Sequence, residues 1–475
     1  MFWLCCLVVT IMATIGCWPK LAPIGATPAT AVRQVNVPYQ QGSSQPYPTQ
    51  PAVFWFGQVN NTSNYADIRT IYDENNLRVI LHIMDRRLWY DTAPSAATLT
   101  DWDAVTLYLN LDGATGQTPG TNAFQFVTQL SHWQTRTTDN YQATYQGNGV
   151  EWMPATIPFT TTTGWRGVAP NNNEDDRGWS ARFVIPFTSL GLSAAPPQGT
   201  VWGVALAVHD RDDAAGSPIP DTVWPEAMTG AAPASWGRFH FGFPVTGGSV
   251  GTPTSSVTVR HGLNGATVTD GHVGGHTVCG DNYAPTYFPG WGSANYAGYE
   301  QINIQNQWDI ADWPCFSKYF VMFPLPTTPP AGTLLNATLI MHQFGSASGN
   351  GVEPSYIQAL TVYEDWQEAT LTWNNAPLAG ENLSGRWVDP TGFPGWPGVR
   401  HTWDVTKAVA DAYAAGTPVR LALYSADSAY HSGRYFSSSD VDDWNAVARP
   451  TLQITWGERC GADGVRCVYL PVVRQ

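Results

Sequence analysis

The chain has 475 residues, of which 43% are hydrophobic and 13% charged, with 45 Gly, 36 Pro and 22 Trp and a formal charge of -14. That length exceeds one ordinary domain and accommodates two cores of about 200 residues each, and the Gly, Pro and aromatic content is that of turn-rich β proteins, not of helix bundles or disordered chains. The negative charge, with no basic run, argues against nucleic acid, whose phosphates are held by a basic face that displaces counterions.

In chain order, residues 1–17 form an apolar run ending in small residues, the pattern of a signal peptide, and Thr14 to Cys17 has the outline of a lipobox. Export to the cell surface or the medium is the expectation. No later stretch reaches the roughly 18 apolar residues of a membrane helix. Residues 18–51 are rich in Pro, Gln and Ser without periodicity and read as a tether. From 52 to 244, short runs with period-two alternation are separated by Gly, Asn and Asp clusters. The clearest are Leu77 to Asp85, Asp103 to Asp112, Trp179 to Phe187 and Val201 to Asp210. In the second of these Val105, Leu107, Leu109 and Leu111 share the core face, and Thr106, Tyr108, Asn110 and Asp112 share the wet one. Short strands at such spacing predict an antiparallel β-sandwich.

Residues 245–256, rich in Gly, Ser and Thr, read as a linker between two domains. The second domain, 257–457, carries strand patterns at Thr338 to His342, Ala359 to Tyr363, Val419 to Tyr424 and Thr451 to Trp456. Leu371 and Trp373 alternate with Thr370, Thr372 and Asn374, which predicts a further short strand ended by Pro377. One helix is predicted from Val405 to Ala415, capped by Asp404 and stopped by Gly416. The fold class is all-β, two jelly-roll-like sandwiches in tandem, followed by a tail at 458–475.

Two resemblances accompany this reading. The run from Glu364 to Pro377, with Lys318 to Pro326, Gly332 to Leu339, Trp403 to Thr406, Arg434 to Asp440 and Arg449 to Leu452, resembles the DNRLRE domains that include carbohydrate-binding module family 96. It departs at Pro324, where the family carries an acidic residue, and at Asp440, where it carries Glu. Leu77 to Asp85, Asp101 to Leu107 with Asp112, Trp179 to Gly191, His209 to Asp212 and Ser235 to Phe239 resemble carbohydrate-binding module family 9 and other DOMON-like domains. Both resemblances imply sandwiches that bind polysaccharide without catalysis.

Candidate chemistry follows from residue type. Indole faces stack on sugar rings while polar neighbours take the hydroxyls. Trp179, Trp202, Trp373 and Trp456 occupy inward strand positions and are assigned to packing. Trp133, Trp152, Trp165, Trp291, Trp308 and Trp396 lie in polar, irregular stretches and are the carbohydrate-binding candidates. Acidic loops offer the oxygen ligands that structural Ca2+ takes, with Asp210, Asp212, Asp440 and Asp442 as candidate ligands. His272 and His276 with Cys279 have a spacing that suits a transition metal, but three ligands fall short of a closed zinc site. Removal of the leader leaves Cys279, Cys315, Cys460 and Cys467. Three pairings are possible, and the short loop favours 460 with 467, leaving 279 with 315. No nucleophile elbow, zincin or phosphate-loop motif is present, and nothing selects a pair of catalytic carboxylates. The expectation is therefore an exported, non-catalytic polysaccharide-binding protein. The alternatives are a structural or adhesion protein of the cell surface and, less favoured, a polysaccharide-degrading enzyme.

Overall fold

The computed structural model describes residues 32–41, 50–132, 140–242, 247–276, 287–306, 315–327, 329–347, 352–426 and 432–459. The first sandwich consists of β1 (Gln34–Val37), β2 (Ala52–Asn60), β3 (Ser63–Tyr72), β4 (Asn76–Met84), β5 (Ala104–Asn110), β6 (Ala123–Gln129), β7 (Gln142–Gly147), β8 (Trp152–Ala155), β9 (Thr160–Arg166), β10 (Gly178–Pro186), β11 (Val201–His209), β12 (Thr222–Trp224) and β13 (Gly237–Phe241). One sheet has the order β1-β13-β11-β5-β6-β7-β8, with β12 on β11, and the other β2-β3-β4-β10-β9. The second sandwich consists of β14 (Gly251–Arg260), β15 (Thr269–Gly274), β16 (Gln301–Ile304), β17 (Ser317–Phe323), β18 (Thr333–Ser346), β19 (Ser355–Val362), β20 (Ala379–Val388), β21 (Val399–Asp404), β22 (Val419–Ser425), β23 (Arg434–Ser437) and β24 (Thr451–Arg459). Its sheets run β14-β24-β18-β23-β16, with β21 on β18, and β15-β17-β22-β19-β20.

The predicted all-β class is observed, and the strands read from alternation fall within a few residues of β4, β5, β10, β11, β18, β19, β22 and β24. In β5 the apolar face is fully buried at Val105, Leu107 and Leu109, as alternation requires. The opposite face is not wet: Thr106, Tyr108 and Asn110 are buried too, and Tyr108 packs with Ala205, Ala207, Met228 and Trp236. The predicted helix is found at Thr406–Ala415 and closes on Gly416 in the left-handed conformation. The residue in the N-cap position is Val405, not the expected Asp404, and Asp404 instead accepts the amide of the first helical residue, Thr406, at 2.9 Å.

Three expectations differ from the structure. Gln34–Val37, inside the expected tether, is a strand parallel to β13. Asn36 also exchanges bonds with the second sandwich: its amide donates to Asn382 Oδ1 at 2.7 Å and its carbonyl accepts from Asn382 Nδ2 at 2.9 Å. Four residues whose partner lies about two hundred positions away leave no periodic signature. Gly251 to Ser256, inside the expected linker, pair with β24 as an outer strand. Its polar composition reflects exposure of that edge. Thr370 to Asn374 is not a strand but a loop after a single 3-10 turn at Glu368–Thr370. Asn375 builds the loop by accepting the Thr372 amide and donating to the Thr370 carbonyl, both at 2.7 Å. Asn374 bonds Val59 in both directions, at 2.7 and 3.0 Å, and so docks the loop on the first sandwich.

That loop belongs to an apolar seam between the sandwiches. Phe54 of β2 points inward to Phe239, while its neighbour Trp55 points outward to Phe320 and Tyr424 of the second sandwich, with centroids 6.4 and 5.6 Å apart. Tyr65 meets Trp373 at 4.9 Å. The fully buried Lys318 places its ammonium 3.7 Å from the Trp373 ring centroid and 4.6 Å from that of Trp55, and donates to Tyr65 Oη at 3.2 Å. The rings give the cation electron-rich faces, yet burial still drives its pKa well below the usual lysine value. At the rim, Arg33 pairs with Glu226 of one sandwich and Glu364 of the other. The seam joins the sandwiches within the unit Val32–Gln475.

Candidate functional site

The aromatic candidates separate by burial. Trp291 is fully buried, its ring 4.7 Å from Trp373 in the seam, and it cannot serve as a platform. The polar letters around it misled, because the Gly-rich turn that carries it is pressed against Val59 and Asn374. Trp152 is half-buried and engaged. It stacks parallel to Trp236 with centroids 6.4 Å apart, and its indole N–H donates to the Gly230 carbonyl at 3.1 Å. Trp133 and Trp308 lie outside the described residues. Trp179, Trp202 and Trp456 are buried, as their strand positions implied, and Trp373 is buried too, although from a loop and not the strand expected for it.

Trp165 and Trp396 remain. Trp165 sits on β9, opposite the buried Trp179 of β10, so its ring extends the core face to the rim of the sheet. There it borders a cavity of about 350 Å³ lined with Ser131, His132, Thr163 and Arg166. That size and polarity suit a small ligand, with one aromatic wall and several polar groups to fix orientation.

Trp396 is 49% exposed and belongs to a larger shelf with Phe393 and Trp444, which are 64% and 65% exposed. Phe393 to Trp396 is 5.2 Å and Trp396 to Trp444 is 5.1 Å between centroids, both edge-to-face. Phe393 and Trp396 come from the Pro- and Gly-rich loop between β20 and β21. The loop returns against β18 through Gly398, at φ +106, where a Cβ would lie 2.6 Å from the Gln343 carbonyl oxygen. Trp444 comes from the 3-10 segment Asp443–Ala448. Arg449 fixes that segment: buried, it donates to the Val441 carbonyl at 2.6 and 3.0 Å and to Asp443 at 2.8 Å. His342 of β18 lies opposite the exposed Arg400 of β21. Burial first, and then Arg400 and Arg260, hold the His342 imidazole below its usual pKa. The exposed Arg400 follows Trp396 by four positions in the chain. Sequence reasoning found Trp396 but missed Phe393 and Trp444. The neighbouring Gly395 and Pro397, and the polar pair Asp443 and Asn445, were the available signals.

The acidic candidates separate as well. Asp85, Asp210 and Asp212 bring carboxylate oxygens within 4.8 Å of one another. Asp85 follows β4 and Asp210 follows β11, so the two sheets of the first sandwich deliver them to one end. Asp103 is buried beside them, its oxygens held by the amides of Trp89 and Arg211 at 2.7 and 2.9 Å. Asp85 Oδ2 and Asp210 Oδ1 are buried and have no hydrogen-bond partner among the described residues. Burial, reinforced by mutual repulsion, pushes Asp85 and Asp103 well above the usual carboxylate range and Asp210 to about 7. Orphaned hard oxygens on clustered carboxylates fit a calcium-type ion, which takes six to eight oxygen ligands. Asp85 and Asp103 were missed as ligands because each is read first as the end of a strand. Asp440 and Asp442 do not join such a group among the described residues. Asp442 is exposed at the start of the Trp444 segment, and Asp440 is pushed up by burial and then by Glu368.

Of the cysteines, Cys315 is buried, whereas Cys279, Cys460 and Cys467 lie outside the described residues, as do the leader and the C-terminal tail.

Comparisons with known proteins agree with this picture in its C-terminal half. Residues 286–455 match the model of Carbohydrate-binding module family 96, which spans both sides of the Phe393, Trp396 and Trp444 shelf. No curated protein matches the chain. Among solved structures, a carbohydrate binding module family 9 from Caldicellulosiruptor kristjanssonii in complex with cellotriose is similar at 15% identity and a TM-score of 0.31, covering 46% of this chain and all of that one. A complex of a module of the same family and organism with glucose gives 17% identity and a TM-score of 0.32, covering 45% of this chain and 97% of that one.

Proposed function

We propose that the chain is an exported, non-catalytic polysaccharide-binding protein. Its main contact is the shelf of Phe393, Trp396 and Trp444, and the cavity beside Trp165 is a second one. The observation that carries this reading is three large, solvent-facing aromatic rings gathered at one rim within the segment that matches family 96. Soluble proteins seldom expose such a patch unless it meets a ligand or partner. Sugar rings cover indole faces, and polar neighbours take the hydroxyls. The Asp85, Asp103, Asp210 and Asp212 cluster holds Ca2+ and stiffens the first sandwich. Cys279 pairs with Cys315 and Cys460 with Cys467 in an oxidising compartment, secreted or at the cell surface.

Isothermal titration of the full chain against xylan, cellulose, alginate and chondroitin oligosaccharides tests the reading. Binding to one of them, lost on Trp444→Ala with Trp396→Ala, supports it. Absence of binding to all four favours the structural or adhesion reading, to which the burial of Trp291 and the engagement of Trp152 already lean. Release of reducing sugar from any of them overturns the non-catalytic part.

A further inference from the structure

We propose that His272 and His276 form a binding site for a borderline d-block dication such as Cu2+ or Zn2+, at the open edge of the second sandwich. His272 lies on β15, the outer strand of its sheet, in register with Tyr319. Tyr319 belongs to the core of the second sandwich, so His272 faces inward at that edge and is only 1% exposed. Neither ring nitrogen has a hydrogen-bond partner among the described residues. A neutral imidazole carries one donor and one acceptor, and burying both unmade costs about 1–3 kcal/mol for each group. A group that bonds these nitrogens offsets that cost.

The surroundings point to a metal. The His276 ring lies with its centroid 5.5 Å from that of His272. With metal–nitrogen bonds of about 2.0–2.1 Å, two imidazoles on one ion place their centroids on the order of 5–6 Å apart. Tyr296 stacks on His272 at 4.5 Å and 21°, which fixes the plane of that ring. Tyr299, 47% exposed and 5.0 Å from His276, borders the site on the solvent side. Burial lowers the pKa of both histidines, His272 to about 3, so both keep a lone pair for a metal at neutral pH. Imidazoles with no carboxylate acting on them among the described residues select Cu2+, Zn2+ or Ni2+ over Ca2+, so this site and the aspartate cluster are chemically distinct. Among the described residues two protein ligands are present, and water or a further group takes the remaining positions.

The test uses the full chain, stripped with a chelator and titrated with Cu2+, which binds nitrogen sites most tightly of the divalent series. The expected result is one equivalent taken up in the presence of excess Ca2+, with an electron paramagnetic resonance spectrum showing hyperfine coupling to imidazole nitrogen. His276→Ala, at a half-buried position and checked for folding by circular dichroism, should weaken uptake at least tenfold and remove that coupling. His272→Ala, checked for folding by circular dichroism, should do the same. Equal Cu2+ affinity and an unchanged spectrum in wild type and His276→Ala would overturn the proposal. So would a wild-type chain that takes up no Cu2+.

Discussion

Trp444→Ala separates binding from folding more sharply than any other single change. The side chain is 65% exposed, and among the described residues its ring meets Trp396 edge-to-face at 5.1 Å. Loss of an exposed side chain that fills no cavity leaves stability within about 0.5 kcal/mol of wild type. Binding should respond differently. An indole buries about 150–250 Å² when fully covered, so a sugar ring lying on the free part of this one removes on the order of 100 Å² from water. At about 25 cal/mol per Å² that is about 2.5 kcal/mol. The corresponding loss of affinity is about 60-fold at 25 °C. Isothermal titration with the best-binding oligosaccharide of the panel gives the affinity, and urea unfolding gives the stability. An unchanged Kd with unchanged stability would refute the shelf as the contact. Equal losses in both would show that the ring is structural and not a solvent-facing platform.

The aspartate cluster predicts a calcium-dependent pH profile. Its carboxyls have pKa values raised in the folded chain, so without metal the folded state binds more protons than the unfolded one above about pH 4, and stability falls as pH rises through Asp210 at about 7. Excess Ca2+ at a hundred times its Kd should restore about 2.7 kcal/mol near pH 8 and little near pH 5, measured as Tm with and without chelator. A calcium effect equal at both pH values, or none, would contradict the cluster as its site. Trp291→Ala should cost about 3–5 kcal/mol in urea unfolding without a direct contact to saccharide, because it opens a cavity beside Trp373 in the seam. Lys318→Met should be neutral or stabilising, since a buried charge gives way to an apolar chain of similar volume, and a clear loss of Tm would show that the aromatic rings offset its desolvation.

The parts of the fold legible in the sequence are those set by local period and punctuation. The apolar face of β5, the helix ended by Gly416 and the strand at Val419 to Tyr424 follow from neighbours a few residues apart. What was not legible depends on partners far along the chain. β1 is a strand only because β13 and Asn382 receive it. Trp373 read correctly as buried, but its burial is against Tyr65 of the other sandwich, which no alternation pattern reveals. The shelf was one-third visible, since a Trp in a polar loop is a candidate whether it ends exposed, as Trp396 does, or sealed, as Trp291 does. Only the distances between loops decide which.

The most direct measurement is affinity electrophoresis of the intact chain through gels cast with each polysaccharide of the panel. Retardation in at least one gel, relieved by soluble oligosaccharide of the same kind, is the predicted result. Migration identical to that in an empty gel with every polysaccharide would contradict saccharide binding as the purpose of the exposed aromatic rim.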